Sequence, residues 1–142
     1  MTHPALNDHI CFALYGAHQA MSAAYKPLLE PLGLTYPQYL VLLLLWEQDD
    51  QTVGGIGGKL GLQSNTLTPL LKRMEQAGFV KRTRSAADER QVRIGLTEAG
   101  RGLQAASAHV PGCIMKATGL EMPALHALHQ QISALRDRLQ DS

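Results

Sequence analysis

A mainly α chain carrying one small β-hairpin is predicted by three observations. Apolar residues recur at helical spacing over most of the chain. The stretch from Ser64 to Ala77 has the pattern of a helix and stops at Gly78. After it, Phe79–Thr83 and Gln91–Leu96 alternate weakly, as strands with one wet face do, around a polar tip from Arg84 to Arg90. With a short helix at 52–60 ahead of them, these pieces make helix, turn, helix, glycine stop and basic hairpin. That order outlines a winged helix-turn-helix.

The chain has 142 residues, suited to one domain with a real core. Its net charge of +1 says nothing about partners, but the distribution does. Residues 72–101 hold eight basic against four acidic side chains, a net +4, and the remainder carries −3. A basic segment hints at a polyanion, although a solvated charged face has the same composition. No basic region followed by an apolar run opens the chain, so no signal peptide is expected. The longest apolar run, Tyr39–Trp46, falls far short of the roughly 20 residues of a membrane helix. No membrane partner is expected. The expected compartment is the cytoplasm, where Cys11 and Cys113 rest as thiols.

The first helix is expected over 8–29, capped by Asn7 or Asp8. Ile10, Leu14, Ala17, Met21, Ala24 and Leu28 form a stripe to be buried. Pro27 bends or ends it, and Pro31 with Gly33 stops it. Thr35-Tyr36-Pro37-Gln38 reads as a capping box opening a second helix, 36–48. That helix is apolar nearly all round and should sit centrally. Asp49 and Asp50 turn the chain. Over 52–60, Val53, Ile56 and Leu60 keep helical spacing while Gly54, Gly55, Gly57 and Gly58 interrupt it. Each glycine costs roughly 1 kcal/mol against alanine, so only packing can hold this helix. Ser64 is the expected cap of the next helix, with Leu67, Leu70, Leu71 and Met74 inward. Pro69 removes one helical hydrogen bond or marks a later start capped by Thr68. Gly78 suits the left-handed residue after a helix end. Thr97 caps a helix running to Pro111-Gly112, which breaks or kinks it before Cys113. A last helix covers about 121–139, with Leu125, Leu128, Ile132, Leu135 and Leu139 on one face. No repeat or low-complexity segment is present.

A helix entering the major groove meets base edges with its first residues. Here these are Ser64, Asn65, Thr66 and Thr68, short side chains that hydrogen-bond and allow close approach. Lys72 and Arg73 would meet phosphates, which supply affinity rather than sequence choice. Arg84 and Arg90 on the tip would reach the adjacent minor groove, where narrow A·T tracts attract arginine. Asp88 would hold an arginine in pose.

The segments Leu70-Leu71-Lys72-Arg73-Met74-Glu75 with Gly78-Phe79-Val80 and Arg82, then Asp88-Glu89-Arg90 and Leu96-Thr97-Glu98-Ala99-Gly100, resemble the MarR (multiple antibiotic resistance regulator) family over nearly the whole chain. The resemblance implies a MarR-type homodimer with intertwined first and last helices and two winged helices spaced for a palindromic double-stranded operator. It implies one domain over 1–142, with 35–96 as the DNA-binding part and 1–34 and 97–142 as dimerisation helices. It also implies that Arg90 enters the minor groove and that Asp88 orients it.

Cys11 falls in the first turn of the first helix, where backbone N–H groups and the helix dipole favour a thiolate. A small buried hydrophobe fits the same position. Tyr15 lies one turn away, and Tyr25 and Tyr36 come from the end of this helix and the start of the next. Hydroxyls from a dimer partner would converge on Cys11; ordinary packing with a polar tip is the other reading. The stretches Leu6-Asn7 with Ile10-Cys11-Phe12-Ala13-Leu14-Tyr15, Tyr25-Lys26-Pro27-Leu28-Leu29, Leu34-Thr35-Tyr36-Pro37-Gln38-Tyr39 and Thr66-Leu67-Thr68-Pro69-Leu70-Leu71 resemble the organic hydroperoxide sensor branch of that family. That resemblance implies that Cys11 senses peroxide and that Tyr25 and Tyr36 bond its thiolate, with Tyr15 nearby. It makes Cys113 the mark of the two-cysteine subtype, in which a disulfide to the partner subunit resolves the sulfenic acid. An external thiol is the other resolving candidate. The branch often has Asp-Ser-Gly-Thr where this chain has Gln63-Ser64-Asn65-Thr66, so the operator is left open.

These residues lead to a redox-switched repressor and not an enzyme. Organic hydroperoxide is the signal, its apolar tail near Phe12, Leu14 and Met21, and no cofactor is needed. A regulator answering to a reversible phenolic or other small ligand is a rival. A two-cysteine thiol peroxidase is a weaker one, because no arginine precedes Arg73 to serve the thiol. His126 and His129 share a helical face, but no cysteine or carboxylate cluster accompanies them in sequence, so no metal site is expected.

Overall fold

The computed structural model describes residues 3–88 and 90–142. Its contacts group into two compact units, residues 1–110 and 111–142.

The first unit begins with a 3-10 turn at Leu6–Asp8 and α1, Ile10–Leu29. The expected caps Asn7 and Asp8 lie inside that turn. His9 is the N-cap of α1 and makes no side-chain cap bond, because the turn already brings the chain onto the helix axis. Pro27 is accommodated within α1, which ends at Leu29 and passes through a 3-10 turn at Glu30–Leu32. The burial expected for α1 is not met. Ile10 is 66% exposed and Met21 39%, and Leu29 is the buried residue of this helix. At 20 residues, α1 is about 30 Å long, and α2 meets its final turns, where Ala24, Tyr25 and Leu28 are half-buried.

Helix α2, Tyr36–Glu47, opens with the expected capping box. The Gln38 N–H donates to Thr35 Oγ1 at 3.4 Å, and the Thr35 N–H donates to Gln38 Oε1 at 3.0 Å. This helix is central, packing against α1, α3, α4 and α5. Val41, Leu42 and Leu45 lose all solvent contact, each worth roughly 1.5–3 kcal/mol of burial.

A short strand absent from the sequence reading follows: β1, Gln51–Thr52. It pairs antiparallel with β3, giving the order β1-β3-β2. Helix α3, Val53–Leu60, forms despite its glycines. Thr52 Oγ1 caps it by accepting the Gly55 N–H at 3.0 Å, and Ile56 is wholly buried. Close approach explains one glycine. A Cβ on Gly57 would stand 2.9 Å from the Leu62 carbonyl oxygen. The buried Gln51 amide donates to the Leu44 and Gln48 carbonyls, and its oxygen accepts from Lys59 Nζ. These bonds fasten α3 to the end of α2.

Helix α4, Ser64–Gln76, is followed by β2, Val80–Arg84, and β3, Val92–Leu96. Helix α5, Glu98–Ala106, is capped by Thr97, whose Oγ1 accepts the Gly100 N–H at 3.1 Å. It ends before Pro111-Gly112, contrary to the expected break there. Pro111 and Gly112 instead occupy the first turn of α6, Val110–Thr118, where a missing N–H costs little.

The second unit holds the rest of α6 and α7, Met122–Gln140. No residue of α7 is buried; Leu128 is 42%, Ile132 45% and Leu139 62% exposed. Among the described residues, no single helix is long and apolar enough to cross a membrane.

Candidate nucleic-acid interface and thiol site

Leu67, Leu70, Leu71 and Met74 anchor α4 in the core, so the opposite face of the helix is presented to solvent. Ser64, Asn65, Thr66, Lys72 and Arg73 are exposed there, and Thr68 is half-buried. Ser64 is the first helical residue rather than the cap. Gln63 takes the cap position in extended conformation, and its carbonyl accepts the Thr66 and Leu67 N–H groups at 3.0 and 2.9 Å. Helix α4 runs through Pro69, so no later start at Thr68 exists. Lacking an N–H, Pro69 leaves the Asn65 carbonyl without its usual helical donor. Gly78 takes φ +86° beyond the helix end, and the Gly78 and Phe79 N–H groups return to the Glu75 and Met74 carbonyls at 3.0 Å each.

Strand register then decides which wing side chains look inward. Val80, Arg82 and Arg84 stand opposite Leu96, Ile94 and Val92. Directly opposite residues share a face, so Arg82 and Arg84 extend the buried row of Val80, Ile94 and Leu96 toward the tip. Arg82 is half-buried, and its N–H donates to Glu75 Oε2 at 3.3 Å. A groove of about 400 Å³ runs beside it, lined by Thr68, Arg82 and Arg90 with the Val53-Gly54 start of α3. Thr68 and Arg90 thus meet at one groove. Arg82 was missed, although its place two residues beyond buried Val80 was the available signal.

Asp88 builds the tip. Its Oδ1 accepts the Arg90 N–H at 3.0 Å and stands 4.0 Å from Arg90 Nε, while its carbonyl accepts the Gln91 N–H. The Arg90 side chain is 97% exposed. An exposed ion pair of this kind is worth about 0–1 kcal/mol, so its effect is on the arginine's direction rather than on stability.

The basic excess read from sequence overstates the charge available to a ligand. Arg93 Nε donates to Asp50 Oδ1 at 3.1 Å and its Nη2 to the Asp50 carbonyl at 2.7 Å. Arg101 pairs with Glu98 at 2.8 Å and with Asp49 at 3.3 Å. Asp49 Oδ1 also accepts the Leu96 N–H at 2.9 Å. These two arginines tie β3 and α5 to the turn after α2. Asp49 and Asp50 lie outside the basic window, so no local charge count finds them.

Cys11 is the second residue of α1 and is exposed, as are Ile10, Phe12 and Tyr15. A buried cysteine is therefore not what a single chain contains. The Tyr15 hydroxyl accepts from Gln19 Nε2 at 3.1 Å. Tyr25 packs on Tyr36 with ring centroids 4.5 Å apart and on Tyr39 at 5.8 Å. Burial, reinforced by Tyr36 and then Tyr39, raises the Tyr25 pKa above 10.0; burial followed by Tyr36 raises that of Tyr39. The Tyr25 O–H thus remains a hydrogen-bond donor at neutral pH and well above. Helix α1 is unbroken from Cys11 to Tyr25, fourteen residues and about 21 Å apart. Tyr25 therefore does not reach Cys11 of its own chain. Cys113 sits in the first turn of α6 and is exposed. A further groove of about 240 Å³ is lined by Ser22, Lys26, Leu29, Glu30, Leu34, Thr35 and Tyr36, not by Phe12, Leu14 and Met21. Among the described residues no His, Cys, Asp and Glu group has the arrangement of a metal site.

A solvent-facing helix beside a three-stranded wing, held by a central apolar helix, defines a winged-helix DNA-binding regulator. Residues 23–106 match the family model described as transcriptional regulator SarA/Rot. The chain is 49% identical to the organic hydroperoxide resistance transcriptional regulator of Bacillus subtilis (strain 168), over 94% of this chain and 88% of that one. The reduced form of AbfR bound to DNA, a protein of Staphylococcus epidermidis, has a TM-score of 0.79 at 39% identity, covering 94% of this chain and 93% of that one. The disulfide-formed AbfR gives 0.64 at 39% identity, covering 96% and 90%. The chain belongs to the SarA/Rot family of MarR-like transcriptional regulators. It is closely related to regulators of organic hydroperoxide resistance, and its relatives are regulators rather than enzymes.

Proposed function

We propose that the protein is a homodimeric, redox-switched repressor of the cytoplasm that leaves its operator when Cys11 is oxidised by an organic hydroperoxide. The observation that carries this reading is the exposed Cys11 at the start of α1, in a chain 49% identical to an organic hydroperoxide resistance regulator. Two features support a dimer. Apolar side chains stay exposed on α1 and α7, a pattern that marks association surfaces. The separation of Tyr25 from Cys11 along α1 supports the partner as the source of a tyrosine pair around Cys11. There Tyr25 and Tyr36 would donate to the thiolate, with Tyr15 alongside.

In the reduced dimer, Ser64, Asn65, Thr66 and Thr68 face base edges of a palindromic duplex. Lys72 and Arg73 lie on phosphates. Arg90, directed by Asp88, and Arg84 reach the minor groove from the wing. The likeness to AbfR is greater for its DNA-bound forms, reduced or overoxidised, than for its disulfide form, which supports reading this conformation as one without the disulfide.

The Cys11 thiolate attacks the distal peroxide oxygen. The O–O bond breaks, an S–O bond forms, and the alkoxide leaves and takes a proton as the alcohol. Sulfur is oxidised to sulfenic acid and the peroxide is reduced. The thiol of Cys113 of the partner subunit then attacks that sulfur, forming the disulfide and releasing water. A disulfide needs Cα atoms within about 7 Å, so any larger resting separation obliges the helices to move.

Reduced protein treated with stoichiometric tert-butyl hydroperoxide, then run on non-reducing gels and weighed by intact mass, tests this. Wild type should give a covalent dimer. Cys11→Ser should give none and remain unoxidised. Cys113→Ser should stop as an oxidised monomer. An unmodified wild type would end the redox reading and turn the search to a reversible ligand.

A further inference from the structure

Cys11 and the DNA-facing side chains lie on different elements, so oxidation has to be transmitted through packed groups. The structure contains one continuous set of contacts that runs from the paired tyrosines to the end of α4. Tyr25 touches Tyr36 and Tyr39, and Tyr39 meets Trp46 edge to face at 6.2 Å. Trp46 Nε1 donates to the Gly100 carbonyl at 3.0 Å, a bond between residues 54 apart in sequence. Gly100 lies in the first turn of α5 and is packed against the Phe79 backbone so closely that a Cβ there would collide with the Phe79 carbonyl. In the same turn, Thr97 Oγ1 donates to the Gly78 carbonyl at 2.6 Å, and the Thr97 N–H donates to the Phe79 carbonyl at 3.1 Å. Gly78 and Phe79 are the residues whose N–H groups close the end of α4.

Every link in this series is an aromatic contact, a hydrogen bond or a backbone approach without slack. Close contacts of this kind pass displacement between the elements that they join. The identity of residue 46 adds to this. Helix α2 is otherwise aliphatic from Leu40 to Leu45, and a leucine or phenylalanine would fill a half-buried site there. The indole adds one polar atom, and that atom ties α2 to the first turn of α5, the turn that packs on the Gly78-Phe79 end of α4.

We propose that Trp46 is a positioning residue that couples Tyr25 and Tyr36 to α4. The proposal rests on the redox reading above. When the tyrosines lose or change their partner at Cys11, their rings shift against Tyr39. Trp46 follows, and it carries α5 and the Gly78-Phe79 junction with it. The orientation of α4 therefore depends on the state of the thiol. Trp46 touches neither peroxide nor DNA.

The test uses the full-length protein and a duplex selected from a random-sequence pool by the reduced wild type. Affinity is measured before and after tert-butyl hydroperoxide, with Cys11 oxidation followed by intact mass. Trp46→Phe keeps an aromatic side chain and removes the donor. It should oxidise at the wild-type rate and bind the duplex when reduced. Its reduced-to-oxidised affinity ratio should fall by about tenfold, within the usual span of coupling between two sites. An unchanged ratio overturns the relay while leaving the redox switch intact. A wild type that binds the duplex but keeps it after peroxide overturns the redox reading and the relay together. Should Trp46→Phe fail to fold, the wild type supplies the readout, since Trp46 is its one tryptophan. Its emission should change with the rate of Cys11 oxidation and stay constant in Cys11→Ser. Constant emission in an oxidising wild type sinks the relay.

Discussion

The stretch from Gln51 to Arg101 and the length of α1 were built by the same chain on opposite terms. In the first, the apolar and polar groups find partners at home. Ile56, Leu67, Met74, Val80 and Ile94 are buried, Gln51 is fully bonded, and Arg93 and Arg101 are paired. In α1, the apolar stripe and the cysteine lie open, with Ile10 66% and Tyr15 59% exposed. The winged-helix part is thus packed within one chain, while the part carrying the thiol leaves apolar side chains exposed. In the proposed homodimer a second copy would cover that face, and the close packing of the winged-helix part would carry a change at the thiol toward α4.

The largest effect should follow from breaking the closed part. Gly100→Ala forces a methyl group into the Phe79 carbonyl and places it 3.2 Å from Leu96 Cδ2. A loss of about 3 kcal/mol or more is expected in urea unfolding, near the top of the range for overpacking. A change under about 0.5 kcal/mol would mean that α5 is not clamped to Phe79.

Arg90→Ala tests whether the exposed tip acts on DNA rather than on the fold. Affinity for the selected duplex should drop by about 1–3 kcal/mol with the melting temperature unchanged. A shift in melting temperature with undiminished binding would assign Arg90 to the hairpin instead.

The open faces are probed by Leu128→Glu on α7. Sedimentation should show the dimer dissociating at least about tenfold more readily, roughly 1.4 kcal/mol. The far-ultraviolet spectrum should be retained. An unaltered dimer would place the association surface elsewhere.

Gly58→Ala sharpens the contrast from the other side. A Cβ at Gly58 meets nothing within 4 Å, so the helix gains propensity without a clash. Stability should rise by about 0.4–1 kcal/mol with DNA affinity constant. A destabilised variant would show that the glycines of α3 have a purpose beyond tolerance.

The smallest effect is alkaline. Tyr25 has a folded pKa above its unfolded value of 10.0, so the folded state keeps a proton that the unfolded state releases. Its contribution is complete below that pH and is lost as pH rises toward the folded pKa. Tyr25→Phe should therefore flatten the fall in stability above pH 10; an unchanged slope would remove Tyr25 from the buried cluster.

Much of the architecture was legible from local chemistry. The Thr35–Gln38 capping box, the Gly78 stop, the inward row of α4 and the hairpin all follow from short-range rules. The caps at Asn7, Asp8 and Ser64 were misplaced because a 3-10 turn and an extended Gln63 moved each helix start by a residue or two. The break before α6 was misplaced because proline suits a first turn as well as a helix end. Strand β1 was missed because two residues carry no periodicity.

By itself the sequence determined the order of the main helices and the hairpin, the solvent-facing side of α4 and the presence of a cysteine at a helix start, since capping, glycine conformation and apolar spacing act within a few residues. The tertiary structure alone decided that Arg82 turns toward the groove, that Arg93 and Arg101 serve Asp50 and Asp49, that Trp46 holds Gly100, and that Tyr25 lies beyond reach of its own Cys11. Those outcomes depend on strand register, on packing between helices and on contacts across some fifty residues, which no local pattern encodes.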